Sequence, residues 1–344
     1  MLTPRRLLGV ALLLACVAYA RPLGAPFVYE DAMSVKPVTA VTWQTPMGWL
    51  TTGRALTRIS FDVNYLTSGM NPFGYHATNI GLHLINGALV YALILPLSGA
   101  SIAGVTAAVW LTHPMQHQAV SYVSGRAELL ATCFMLLALL CVTRSLTKTR
   151  GICFLLCAIA AMASKETGAM VVVLAPMLVY ATRGDKEWYA LLALIPGVGA
   201  LHAYSALHQN HYAFESARQW LGFPALQSAA LFTHLWHALT LRGFSIDHDI
   251  ELIEPALALL SLGAVLMGCV ASLIVLRRSR IVGLALAWPL VALAPRFVIR
   301  IPEFLNEHQM YFPFIGVCWF TVMGVRWLSA KVEGTDDAPV LASA

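Results

Sequence analysis

The sequence is poor in charge. Of its 344 residues only 11% are Asp, Glu, Lys or Arg, while 58% are hydrophobic and the mean hydropathy is +0.70. That balance excludes an ordinary soluble domain. Cysteine is missing wherever oxidation would pair it, because all seven (Cys16, Cys133, Cys141, Cys153, Cys157, Cys269 and Cys318) fall inside apolar runs. No disulfide framework is implied. A basic stripe with interleaved aromatics is also lacking, so the formal charge of +5 reads as membrane topology and argues against nucleic acid as a partner.

What is present is a series of apolar segments that end at charges or at Pro/Gly breaks. Counted at the length of a bilayer crossing they give about ten spans, near 5–20, 75–97, 102–113, 126–143, 151–163, 168–182, 188–206, 255–276, 281–295 and 310–328. The expected fold is all-α, a polytopic integral membrane protein embedded in membrane lipid. Several spans are short for a full crossing, which puts polar loops at their ends into a cavity rather than into lipid.

With Arg5 and Arg6 inside, the inner loops collect Arg144, Lys148, Arg150, Arg183, Lys186, Arg277, Arg278, Arg280, Arg326 and Lys331, in all 12 of the 22 basic residues. This follows the positive-inside rule. The same side holds only Asp185, Glu187, Glu333, Asp336 and Asp337 of the 17 acidic residues, so acid concentrates on the outer face. The scheme requires the apolar stretch 224–241 not to cross, and it is read as an outer interfacial or re-entrant helix. None of the 11 histidines falls in an inner loop. Arg5-Arg6, a short apolar core and Ala18-Tyr19-Ala20 mimic a cleavable signal, with a lipobox-like Leu13-Leu14-Ala15-Cys16. A retained first helix is favoured, since nine further spans need an anchor of that orientation.

Polar residues gather at the outer ends of these spans. Glu30-Asp31 follows the first span, and taken alone two such acids read as a solvated loop pair. In 71-NPFGYHATNIGLHLIN-86, His76, Asn79, His83 and Asn86 recur at spacings of three and four, one polar stripe on an apolar helix. Such a stripe faces either a cavity or a partner helix. In 113-HPMQHQAVSYVSGRAELLA-131, His113 and His117 have a metal-capable spacing but no third ligand, while Arg126 opens a membrane helix where a guanidinium holds phosphate well. Lys165-Glu166 breaks an apolar stretch, and 303-EFLNEHQMYFP-313, with Glu307, His308 and Tyr311, precedes the last span. Ion pairing within Lys165-Glu166 and snorkelling are the bland alternatives.

The motifs FVYED (27–31), GRALTRISFDVNY (53–65), NPFGYHATNIGLHLIN (71–86), HPMQHQAVSYVSGRAELLA (113–131), SKETG (164–168), GFSIDHDI (243–250) and NEHQMYFPFIG (306–316) together resemble a known family. It is that of the multispanning O-mannosyltransferases with tetratricopeptide repeats, and their bacterial relatives, in the GT-C glycosyltransferase superfamily. The resemblance implies a GT-C-like membrane domain over 1–328, with 329–344 a short cytoplasmic tail. It implies inverting transfer of a sugar, mannose being the candidate, from a polyprenyl-phosphate carrier to an acceptor hydroxyl at the outer face. The acceptor is a protein; a lipid or surface glycan is the enzymatic alternative, and a lipid-linked sugar flippase the alternative of another class. The expected home is the bacterial inner membrane, with the active site on the periplasmic side.

Residue by residue, the resemblance implies Asp31 as general base, with Glu30 orienting the acceptor or a metal. It assigns the donor phosphate to Arg126, Lys165 and His308. Arg54, His76, His113, His117, Glu166, Glu307 and Tyr311 fall in the matching motifs as substrate or cavity residues. Asp247 and Asp249 are open as acceptor or metal ligands, or as a cap of the next helix. The sequence points to no particular cofactor, and a divalent metal stays open. The chain departs from the family in having Glu-Asp for the usual Asp-Asp, Arg54-Ala55-Leu56 for Arg-Pro-Leu, and Glu307-His308 for Glu-Arg. A histidine makes the phosphate contact pH-dependent, its unperturbed pKa being roughly 6.5. No tetratricopeptide period follows the last span.

Overall fold

The computed structural model describes residues 3–29, 31, 35, 54–192, 217–245, 254–297 and 305–334. Glu30, Asp247 and Asp249 lie outside the described residues, as does most of the span expected at 188–206. Among the described residues the chain forms helices and no strands. The α-helices are α1 (Pro4–Ala18), α2 (Ala55–Ser68), α3 (Pro72–Thr112), α4 (His117–Ser121), α5 (Arg126–Val142), α6 (Lys148–Ser164), α7 (Val171–Thr182), α8 (Glu187–Leu192), α9 (Ala217–Thr240), α10 (Pro255–Arg278), α11 (Arg280–Leu293) and α12 (Pro313–Glu333). Short 3-10 turns at Pro114–Gln116, Val123–Gly125, Glu166–Met170, Ala294–Phe297 and Glu307–Met310 lie between the long helices, all at one end of the bundle.

Helix starts follow the local chemistry. Asn71 caps α3 by accepting from the Phe73 N–H at 3.1 Å ahead of Pro72, and Thr147 caps α6 by accepting from Arg150 N at 3.2 Å. Proline fits a first turn whose N–H groups have no intrahelical acceptor.

The 41-residue α3 is two helices. Gly99 sits at φ 81°, ψ 168°, three residues past Pro96, and turns the chain back on itself. In a straight helix Gly87 and Leu111 would be roughly 36 Å apart at 1.5 Å per residue. Instead a Cβ added at Gly87 would lie 2.3–2.6 Å from the Leu111 side chain, and His83 Nε2 is 2.9 Å from the Leu111 carbonyl. The limbs 72–98 and 100–112 are therefore antiparallel, in agreement with the two spans expected there. α1 packs on α3, with Ala11 and Ala15 buried in the main core beside the second limb, so this segment is an integral part of the bundle.

Among the described residues six helices are long and apolar enough to cross a membrane, the folded-back α3 counting as one of them. Together with α6 and the shorter apolar helix at Glu166–Thr182 this fits an integral membrane protein, and the expected figure of ten holds only approximately. α9 is not among the six. Over 227–238 it touches the turn-rich end of the bundle, Gln227 and His234 beside Arg296, His237 beside Glu307, and Ala238 beside His113, and it also packs on α10. The basic loops meet at the opposite end, where Trp188 Nε1–H donates to the Arg144 carbonyl at 2.9 Å and Leu146 N–H donates to Asp185 Oδ2 at 3.0 Å.

The hairpin contact is testable. Gly87→Ala should destabilise the protein by about 1–3 kcal/mol through overpacking, and adding Leu111→Ala should make the pair less costly than the sum of the two single changes. Thermal unfolding in detergent measures this, and strictly additive losses would contradict the contact.

Candidate functional site

The turn-rich end encloses a polar cavity of about 90 Å³, lined by Arg54, Glu128, Lys165, Thr167, Arg296, His308 and Gln309 over a floor that includes Met135, Leu293 and Phe312. Each charge arrives from a helix end. Glu128 is in the first turn of α5, Lys165 is the C-cap of α6, and Arg296 lies in the 3-10 turn that ends α11. Side chains at helix ends reach a common space without burying charge along the length of a bundle.

Lys165 and Glu128 form a buried ion pair. Burial lowers the lysine pKa, and the adjacent Glu128 carboxylate acts in the opposite direction. At the rim Arg54 clamps Glu166 through Nε and Nη2 at 3.0–3.2 Å, so Glu166 orients an arginine that lines the cavity. His308 is fixed by Gln118, whose Oε1 accepts from the His308 backbone N–H at 2.7 Å and lies 3.2 Å from Nδ1. Gln118 Nε2 in turn donates to Asn306 Oδ1 at 3.2 Å. This places the ring proton on Nδ1 and leaves Nε2 as the acceptor nitrogen. Burial, then Lys165, Arg296 and Arg54, hold the His308 pKa well below its ordinary value. The imidazole is therefore neutral at pH 7, and contact with an anion requires it to take up a proton.

Arg126 is elsewhere. Its fully buried guanidinium donates from Nε to Asn79 Oδ1 at 2.8 Å, from Nη1 to the Ser60 carbonyl at 3.2 Å and to Asn64 Oδ1, and from Nη2 to the Tyr75 carbonyl at 2.9 Å. Phe61 covers one face, 4.5 Å from ring centroid to Cζ. With four of its five N–H donors engaged by α2 and α3 and no place in the cavity lining, Arg126 acts as a crosslink between helices and does not sit where the expected phosphate contact would need it. The stripe on α3 has the same explanation. Asn79 Nδ2 donates to the Tyr122 carbonyl at 3.1 Å and Asn86 Nδ2 to the Leu129 carbonyl at 2.9 Å, so for these two the stripe faces partner segments of the bundle.

Asp31 is completely buried beside this crosslink. Its Oδ1 accepts from the Ser124 N–H and Oγ–H, each at 2.9 Å, and its Oδ2 accepts from the Val28 N–H at 3.2 Å. Through Ser124, Asp31 is tied to the 3-10 turn that leads into α5, the helix whose first turn carries Glu128; Asp31 itself is not among the residues that line the cavity. The carboxylate keeps unused acceptor capacity after these three bonds.

Of the other expected residues, Tyr311 is not in the cavity. Its hydroxyl donates to His83 Nδ1 at 2.8 Å inside the core, and its carbonyl accepts from Trp110 Nε1–H at 3.0 Å. His113 caps a turn, its Nδ1 accepting from Met115 N–H at 3.0 Å and its Nε2–H donating to the Ala238 carbonyl at 3.2 Å, and it lines a separate, largely apolar groove of about 670 Å³ with Val105, Leu239 and Phe314. His76 is buried next to the Asp31–Arg126 cluster rather than in the cavity. His117 and Glu307 line a separate small pocket with Gln118 and Phe244, where His237 Nδ1 is 3.8 Å from Glu307 Oε1. Among the described residues no three His, Cys, Asp or Glu side chains converge to hold a metal ion.

Of the charges lining the cavity, Arg296 is not singled out by the sequence reading. Arg296 directly follows Ala294-Pro295 at the end of a span, where the same span-end reasoning that found Lys165 applies.

Fold and site together define a helical integral membrane protein with a cationic cavity, balanced by one buried carboxylate, at one end of its bundle. In sequence the chain is similar to proteins named protein O-mannosyl-transferases. It is 34% identical to TMTC1 of Mus musculus over 169 residues (42% of this chain), 34% identical to tmtc2 of Xenopus laevis over 196 residues (48%), and 33% identical to Tmtc1 of Drosophila melanogaster over 174 residues (45%). The resemblance read from the motifs is thus borne out. The matches cover 18–23% of those relatives, so the chain spans about a fifth of their length. No family model matches the chain. No solved structure matches it either.

Two outcomes follow. Arg126→Lys leaves buried carbonyl and amide oxygens without donors, at roughly 1–3 kcal/mol for each unsatisfied group. It should lower the thermal unfolding temperature without changing the phosphate affinity of the folded fraction, both measurable on purified protein. Because burial depresses the His308 pKa, the unfolded chain takes up the proton first. Stability should therefore fall as pH drops below roughly 6.5, and less steeply in His308→Gln; identical slopes between pH 8 and 5 would contradict the assignment.

Proposed function

We propose that the chain is an inverting glycosyltransferase that moves a sugar, mannose by the names of its relatives, from a polyprenyl-phosphate carrier to a hydroxyl of a protein acceptor. The observation that supports this most is the meeting of Lys165, Arg296, Arg54 and His308 in one cavity at the helix ends. A lipid-linked phosphate lies at that depth, and fixed cations in a poorly solvated site stabilise the charge that grows on it as it leaves. Lys165 and Arg296 hold the phosphate oxygens, Arg54 is steered by Glu166, and His308 adds a third contact once protonated.

In this reading the acceptor oxygen attacks the anomeric carbon, the bond from that carbon to the phosphate oxygen breaks, and the electron pair leaves with the phosphate. Asp31 takes the acceptor's proton, directly or through one water, and a single displacement inverts the configuration. The bonds from Ser124 and Val28 aim the carboxylate, and Glu30 orients the acceptor. The cavity opens on the non-cytoplasmic face of the membrane, the periplasmic side of a bacterial inner membrane. The gathering of Arg144, Arg183 and Arg280 at the far end supports that orientation.

Asp31→Asn should cut turnover by roughly 10²–10⁴-fold, the range for loss of a general base, while donor affinity stays within a few fold. Lys165→Met should instead weaken donor binding. In vitro transfer from polyprenyl-phosphate mannose to a Ser/Thr peptide, alongside equilibrium binding of the donor, separates the two. An Asp31→Asn protein with normal turnover sinks the mechanism.

A further inference from the structure

Among the described residues lining the cavity, Glu128 alone is negatively charged, and it is only 4% exposed. A carboxylate needed only to neutralise Lys165 could sit behind the lysine. Glu128 instead forms part of the wall and meets whatever occupies the space. The rest of this inference relies on the cavity being the phosphate site. A polyprenyl-phosphate sugar is a phosphodiester with one negative charge. When the bond to the sugar breaks, the phosphate keeps the electron pair and the acceptor's proton goes to the base, so the lipid product is a monoester whose second charge is present above its pKa of about 6. Repulsion from a fixed carboxylate is proportional to ligand charge, and a poorly solvated cavity screens it weakly.

We propose that Glu128 is a selectivity residue: it lets the cavity's cations hold the singly charged diester donor and disfavours the doubly charged monoester product, promoting product release. The ion pair makes this workable. Lys165 is kept in the wall by Glu128 when the site is empty and is shared with the phosphate when it is filled, so the cation is never left alone in a dry position.

The test uses the purified full chain at pH 8 and two probes, farnesyl phosphate as monoester and methyl farnesyl phosphate as diester. Glu128→Gln should shift the ratio of the two dissociation constants at least tenfold toward the monoester, with product release slowed and product inhibition strengthened. Glu128→Asp keeps the charge and should leave the ratio within about threefold of wild type. Thr167→Asp, which adds a carboxylate to the same wall and keeps both residues of the ion pair, should move the ratio the opposite way and keeps the idea testable if Glu128→Gln does not fold. If Glu128→Gln weakens both probes equally, Glu128 merely positions Lys165 and the proposal is overturned; an unchanged ratio in Thr167→Asp overturns it as well. Failure of the wild type to bind either probe would instead remove the phosphate reading of the cavity.

Discussion

A lysine ammonium in a nearly dry position sets the terms for this end of the molecule. Lys165 caps the C-terminus of α6 inside the bundle, and an ion there is tolerated only if an opposite charge and a polar space compensate its desolvation. Glu128 supplies the charge from the start of α5 and the cavity supplies the space. The remaining cations follow at wider radius, Arg296 from the end of α11 and Arg54 from the start of α2, so that one anion-sized volume is surrounded from four elements. Each of these side chains approaches from a helix terminus, where the backbone already leaves the apolar part of the bundle. That is how a membrane domain concentrates charge without carrying it through its core.

A second buried cation does a different task. Arg126, two residues before Glu128 on α5, turns away from the cavity and ties α5 to α2 and α3. The first turn of α5 is therefore held from one side by a buried guanidinium and presents Glu128 on the other. Asp31 is bonded to the preceding 3-10 turn through Ser124. Scaffold and site share one helix start, which explains why so many of the chain's polar residues occur within a few positions of it.

Much of this was legible in the sequence. The apolar periodicity gave the helical class and placed the hairpin spans on either side of Gly99, because a bilayer crossing fixes a length and a break shows as Pro and Gly. The asymmetry of Lys and Arg separated the two ends. Lys165, Glu166 and His308 were found because an ionisable residue at a span end demands a reason. Direction was not legible. Arg126 and Lys165 look alike on paper, each a cation opening or closing an apolar run, and only packing shows one engaged by Asn79, Asn64 and two carbonyls and the other facing a cavity. Tyr311 belongs to a core network for the same reason, since a polar residue in a motif can serve such a network as easily as a ligand. The pairing of Glu128 with Lys165 joins positions 37 apart, and no local pattern encodes such a contact.

The account depends on where a lipid phosphate comes to rest. The most direct measurement is an electron cryo-microscopy map of the full chain with a short-chain polyprenyl-phosphate sugar bound. Phosphate density within hydrogen-bonding distance of Lys165 and Arg296, with His308 Nε2 turned toward it and Asp31 on the side of the anomeric carbon, is the predicted result. Phosphate density at the basic opposite end, or an empty cavity with the lipid bound elsewhere, would contradict it.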